Sequence, residues 1–213
     1  MAEPLIVVGA SGFGRETLDV AEAINAAAAL PRWDLIGVVD DNPSEVNLIR
    51  LKDRGVPYLG TVDDLRDFAG ARVAVGIGNP AVRAAVVSRM GKRHLEPARL
   101  IHPCAVLGSR ASVGSGTVIC AGVIVGTNVE LGQHVHLNPH AVIGHDTRLG
   151  DFVSVNPNAT VSGECQIETG VLVGAAATVL QGLRVGAGAT VGAAACVTRS
   201  VTNGATVRGV PAK

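Results

Sequence analysis

Aromatic residues are nearly absent: five in 213 residues, Phe13, Trp33, Tyr58, Phe68 and Phe152. A core built on large rings is thereby excluded, and the 33 valines and 27 glycines point to short branched side chains on extended backbone. Charge is just as scarce in the second half. Residues 1–100 hold 25 of the 36 charged residues and residues 101–200 only nine, with no net formal charge overall. That balance leaves no basic footprint for nucleic acid, and no nucleic-acid partner is expected. No apolar run approaches the roughly 18–20 residues that span a bilayer, and no basic stretch precedes an apolar one near Met1. The expectation is a soluble cytoplasmic protein without membrane insertion. The four cysteines, Cys104, Cys120, Cys165 and Cys196, stand 16, 45 and 31 residues apart. Those spacings fit neither a zinc motif nor a disulfide framework, so small buried thiols and no metal are expected.

What the sequence does have is a repeat. From Ile101 an aliphatic residue recurs every six positions, through Leu107, Val113, Ile119 and onward to Val197, for seventeen consecutive positions. The residue two places earlier is usually small, and the one following is often Gly, as in Gly108, Gly126, Gly144 and Gly174. Period six with alternating inward positions and a turn residue describes short parallel strands wound into a solenoid. At a spacing of about 4.8 Å per strand, five to six coils make a prism roughly 27 Å tall. With eighteen residues per coil, the outward positions sort into three faces. One carries Val106, Ile124, Val142, Thr160, Thr178 and Cys196; a second carries Ser112, Glu130, Arg148, Gln166 and Arg184; a third carries Leu100, Val118, His136, Ser154, Leu172 and Thr190. The second is a solvated charge ladder. The first is too apolar to be left wet and predicts self-association, with help from the third.

The first hundred residues follow another grammar. The apolar run Leu5-Ile6-Val7-Val8 leads through Gly9-Ala10-Ser11-Gly12-Phe13-Gly14 into a segment with helical spacing at Leu18, Ala21 and Ile24. A second strand, Leu35–Val39, ends in Asp40-Asp41; a third, Arg72–Val75, runs into Gly76-Ile77-Gly78-Asn79 ahead of a helical Pro80–Met90. Strand, glycine turn and helix open a Rossmann-like unit with a small parallel sheet, in which backbone N–H groups at a helix start can meet a phosphate. The pattern G-x-x-G-x-G differs from the dinucleotide fingerprint, and the same glycines also serve a tight turn and close helix packing. The paired carboxylates are placed for ribose hydroxyls or a base edge. The expected division is residues 1–99 as the Rossmann-like domain, 100–200 as the solenoid and 201–213 as a tail.

Taken together, G-A-S-G-F-G-R-E, D-D, G-I-G-N-P, the hexapeptide run and the closing G-V-P-A-K resemble the bacterial hexapeptide-repeat sugar acyltransferases, which include sialic acid O-acetyltransferases and nucleotide-4-amino-sugar N-acetyltransferases. The resemblance implies that the solenoid is a left-handed parallel β-helix, that acetyl-CoA is the co-substrate, and that the protein is a cytoplasmic homotrimer with sites between neighbouring β-helices. It implies N-acetylation of a nucleotide-linked amino sugar for surface glycan synthesis. O-acetylation of a free sugar such as sialic acid, and a non-catalytic nucleotide-binding scaffold, are the alternatives.

Within Ala141-Val142-Ile143-Gly144-His145-Asp146-Thr147-Arg148-Leu149-Gly150, the resemblance implies His145 as general base and Asp146 as the acid that raises its basicity. The chemistry agrees, since acyl transfer needs a base with a near-neutral pKa and a carboxylate steadies the imidazolium that forms. One coil later stands Gly163, leaving room beside the imidazole. Gly12, Phe13, Gly14, Asp40, Asp41 and Asn79 are the expected substrate contacts. By resemblance, Ser154, Gly163, Gly174, Ala175, Gly192 and Ala193 line the CoA groove. Arg184, Arg199, Arg208 and Lys213 are candidate phosphate partners, and the Gly174 N–H is a candidate oxyanion donor. Some relatives carry His in place of Phe13 and of Ser154. The remaining histidines, His134, His136 and His140, are expected to be ordinary surface or interface residues.

Overall fold

The computed structural model describes residues 1–91 and 95–213. An α/β region comes first: β1 (Glu3–Val8), α1 (Gly12–Ala27), β2 (Trp33–Val39), α2 (Glu45–Asp53), a 3-10 turn (Val62–Asp67), β3 (Arg72–Val75), α3 (Pro80–Met90) and β4 (Glu96–Pro97). Its sheet is parallel, in the order β2-β1-β3-β4. The central strands are buried apolar runs, as covered parallel strands require, with Leu5, Ile6 and Val7 fully enclosed. Glycine lets three backbone segments meet at the end of this sheet. A Cβ on Gly14 would overlap the Gly9 carbonyl oxygen, and one on Gly76 would fall 3.1 Å from the Gly14 amide nitrogen.

From Leu100 the chain winds as a left-handed parallel β-helix of two-residue strands in three sheets of five, seven and six strands. Residues pair eighteen apart without a slip from Leu100 to Cys196, as in Val106↔Ile124, Glu130↔Arg148 and His136↔Ser154. The three faces are therefore the three sets sorted above. Inside the prism the aliphatic positions form one continuous column from Ile119 to Val201. From Leu107 to Val191, three residues after each aliphatic position the chain passes a corner with positive φ, from Arg110 through Asn128, His134, His140 and Asp146 to Ala194. This left-handed position favours Gly, Asn, Asp and His, the residue types that occupy most corners.

The segment expected as a tail continues the winding instead. Val201 bridges Val185, and Thr206–Val207 adds the last strand of the seven-stranded sheet. The third face is not available to help another chain over most of its length. Leu100 and Val118 share a core with Leu18, Ala21 and Trp33 of the α/β region, and His136 and Ser154 are fully buried. The physical reason is that α1 and α3 lie on this face and cover it. Among the described residues no helix is long and apolar enough to cross a membrane.

Candidate functional site

His145 and Asp146 occupy the corner between the first and second faces. The His145 Nδ1 lies 2.7 Å from Asp146 Oδ2, with both side chains about half exposed. Asp146 sits at a left-handed corner with φ 58°, which turns its carboxylate back along the chain toward the preceding imidazole. Its other oxygen accepts from Asn128 Nδ2 at 2.8 Å. The Asn128 hydrogen bond, then the one to His145, holds the Asp146 carboxyl below the usual range. Asn128 stands eighteen residues before Asp146 and so lies directly beneath it in the coil; adding or subtracting one coil would have found it from the sequence.

The far side of the imidazole lies over Gly163. A Cβ there would come within 2.7 Å of His145 Nε2 and Cε1. Glycine at 163 is thus what leaves Nε2 room to face a reacting group, while Asp146 holds Nδ1. A carboxylate on one ring nitrogen and an open second nitrogen make a competent proton acceptor.

The other residues expected at the CoA groove fall on the opposite edge of the first face, where it meets the third. Gly174 and Ala175 stack one coil below Gly192 and Ala193 there, 18 residues apart. Gly174 is buried, and its N–H donates to Val191 O at 2.8 Å within the coil ladder. That bond removes it as an oxyanion donor. Gly192 N–H is likewise engaged by Val207 O, whereas Ala193 is exposed. Ser154 departs further from expectation. It is buried, accepts from Arg83 Nη2 at 2.9 Å and donates to Gly78 O at 2.9 Å, so its hydroxyl belongs to the joint between the two regions rather than to an open groove. Arg184 is paired with Glu168 at 2.6 Å, on the charge ladder where phosphate attraction is already offset.

In the α/β region, Val8, Gly9, Asp40, Asp41, Asn42, Val62, Ile77, Val82 and Val86 surround a cavity of about 190 Å³. Asp40 accepts from Ala10 N at 2.7 Å and from Asn42 N at 2.9 Å, which fixes the glycine turn against the end of β2. Asp41 accepts from Val62 N at 3.0 Å and pairs with Arg89 at 2.7 Å. Asn79 caps α3, its Oδ1 taking the amides of Ala81 and Val82. At the start of α1, Ser11 gives no side-chain cap, the first turn carries no acid, and a Cβ on Gly12 would meet nothing. Phe13 turns the other way. Its ring packs on His136, centroids 4.6 Å apart, so it faces the β-helix and not the phosphate turn.

His134 and His136 are buried rather than at the surface. His134 stacks on Phe152 at 5.2 Å, and His136 has no exposed surface. Burial and the neighbouring Arg83 charge push His134 down to about 4 and His136 well below its ordinary value, so both rings are neutral. Among the described residues no group of three or more His, Cys, Asp or Glu side chains could hold a metal.

Comparison with known proteins places the two regions beside solved relatives. Residues 4–90 match the PglD N-terminal domain. The whole chain superposes on the acetyltransferase domain of PglB from Neisseria gonorrhoeae FA1090, solved with acetyl coenzyme A, at TM-score 0.85 and 27% identity, covering 100% of this chain and 99% of that one. WeeI from Acinetobacter baumannii AYE matches at TM-score 0.86 and 28% identity, with 100% and 99% of the two chains covered. A variant of perosamine N-acetyltransferase from Caulobacter crescentus, in complex with CoA and GDP-perosamine, matches at TM-score 0.87 and 25% identity, covering 100% and 97%. No curated protein sequence matches the chain.

Proposed function

We propose that this chain is a hexapeptide-repeat sugar acetyltransferase, transferring an acetyl group from acetyl-CoA to the amine of a nucleotide-linked amino sugar destined for a surface glycan, in a cytoplasmic homotrimer. The observation that carries the catalytic part is the His145 ring, held by Asp146 at Nδ1 and left open at Nε2 over Gly163. His145 takes the proton from the attacking nitrogen as it bonds to the thioester carbonyl, Asp146 stabilises the imidazolium, and as the C–S bond breaks that proton passes to the departing sulfur, releasing CoA as free thiol. The cavity bordered by Asp40 and Asp41, with the open start of α1 at Gly12 and Gly14, holds the nucleotide. Complexes of the Caulobacter relative with GDP-perosamine and CoA support this substrate class.

Trimerisation is supported by where the pieces lie. His145 and Gly163 flank one edge of the first face; Gly174, Ala175, Gly192 and Ala193 flank the other. That face is apolar and open, with Val106 60% and Ile124 48% exposed. Packing it against neighbouring chains around a three-fold axis buries it and brings one chain's histidine edge to the next chain's small-residue edge. A single chain keeps the two edges apart. Residues 1–99 act as the nucleotide-sugar module and the β-helix as the acyl-transfer module in this reading.

The test is release of free thiol from acetyl-CoA in the presence of UDP-, GDP- and dTDP-linked amino sugars. Turnover with at least one is expected. Turnover only with free hydroxylated sugars such as sialic acid would replace N-acetylation by O-acetylation, and turnover with neither would leave a nucleotide-binding scaffold.

A further inference from the structure

Arg83 is the largest fully buried side chain of the described residues, with no exposed surface. It projects from α3 and crosses to the β-helix. Its Nε donates to His134 O at 3.0 Å, and Nη2 to Phe152 O at 2.8 Å and Ser154 Oγ at 2.9 Å. Nη1 turns back to Ile77 O at 2.6 Å and Gly78 O at 3.2 Å. Ser154 closes the ring by donating to the same Gly78 carbonyl at 2.9 Å. Every one of these partners is a carbonyl or hydroxyl oxygen; none is a carboxylate. Burial lowers the guanidinium to about 9, still charged at neutral pH.

A buried cation without a counter-charge is a costly way to join two surfaces, since apolar residues of similar volume usually join them as well or better. What the guanidinium adds is direction. Its planar fork fixes several donors at once, so the carbonyls that receive them cannot slide. Those carbonyls belong on one side to the Gly76-Ile77-Gly78-Asn79 turn. On the other side they belong to the coils on either side of His145 in sequence. The turn held from behind by Arg83 is the one whose front, through Ile77 and the adjoining Val82 and Val86, lines the cavity with Asp40 and Asp41.

We infer that Arg83, assisted by Ser154, is a positioning residue for acetyl transfer: it locks the turn that receives the nucleotide-linked sugar to the β-helix, so that the acceptor amine arrives in register with the acyl donor. The inference rests on the function proposed above. It also reassigns Ser154 from the CoA groove to this lock.

The test uses the full-length protein. Arg83→Met keeps length and removes the fork. It is expected to raise the KM for the nucleotide-linked amino sugar and lower kcat, together costing about a hundredfold in kcat/KM, as about 1 Å of misplacement does. The KM for acetyl-CoA and the oligomeric mass should stay as in the parent. Arg83→Lys should recover little, because a point charge cannot hold both sides. Ser154→Ala, which removes one hydrogen bond, should cost about threefold to tenfold in the sugar KM. Amide hydrogen exchange in residues 76–82 should quicken in both variants, while that of residues 143–147 stays unchanged. A folded Arg83→Met with an unchanged sugar KM overturns the inference; so does a parallel rise in both KM values, which marks a structural role only. If Arg83→Met does not fold, Ser154→Ala decides alone, and an unchanged sugar KM and unchanged exchange in that variant overturn it. Parent protein inactive toward every amino sugar would refute the proposed function, and the exchange measurement would still judge the lock.

Discussion

Two sets of histidines, eleven residues apart at most, show how one side chain is put to opposite uses. At the exposed corner, His145 faces solvent on one side and a carboxylate on the other. In the joint, His134 and His136 are sealed under α1 and α3, have no hydrogen-bonded carboxylate and sit beside a buried cation. A ring between a carboxylate and open space can accept and release protons. A ring beside a guanidinium in an apolar joint stays neutral at neutral pH, and serves as a flat, packed surface for Phe13 or Phe152. The difference lies in the coil positions rather than in the residue. His145 projects from an edge that no other element covers; His136 projects from the face that the α/β region occupies.

Breaking the exposed set should have the larger consequences. His145→Ala should lower kcat by about 10²–10⁴-fold, the usual worth of a positioned base. Oligomeric mass and melting temperature should not change, because the side chain is half exposed. Steady-state thiol release checks the first point and light scattering the second. Gly163→Ala is next. Its Cβ would lie 2.7 Å from His145 Nε2. The ring must move, and a displacement of that size costs about a hundredfold in kcat. An unchanged kcat in the folded variant would show that the ring yields without cost and that its position is not critical. Asp146→Asn removes the charge but keeps the shape. Losing one charge-assisted hydrogen bond costs about 1.5–3 kcal/mol. At a half-exposed site the lower end applies, so kcat should fall about tenfold.

The same contrast explains which parts were legible in the sequence. In the β-helix a residue's neighbours are simply those eighteen positions away, so a period-six pattern already contains the sheet register, the three faces and the place of Gly163 beside His145. Even Asn128 under Asp146 is recoverable by that arithmetic. The joint has no such rule. Which face of the prism the α/β region covers is set by contacts between segments distant in sequence, and this is why His136 and Ser154 seemed to belong to an open surface. Arg83 left one local clue. It stands with Pro80 and Met90 on the buried side of α3, a charged residue where the helix is otherwise apolar. Spacing could mark it as unusual but not reveal its destination. Phe13 followed the glycine turn in sequence, yet the first turn of α1 points it away from that turn.

The smallest expected effect sharpens the comparison from the buried side. His134 has its folded value near 4, below the ordinary value of about 6.5 for an unfolded chain. Between those values the unfolded chain binds the proton and the folded one does not, so stability is complete above about pH 6.5 and declines as pH falls toward 4. His136, pushed in the same direction, adds to the decline. Thermal melts of the parent should therefore show a falling midpoint from pH 7 to pH 4.5. His134→Asn keeps a residue suited to the left-handed corner but cannot titrate. It should start from a lower midpoint, having lost the Phe152 stack, and then fall less steeply over the same range. Equal slopes for the two proteins would mean that the joint opens to water before the ring is protonated, in which case its histidines would not be held neutral by the fold.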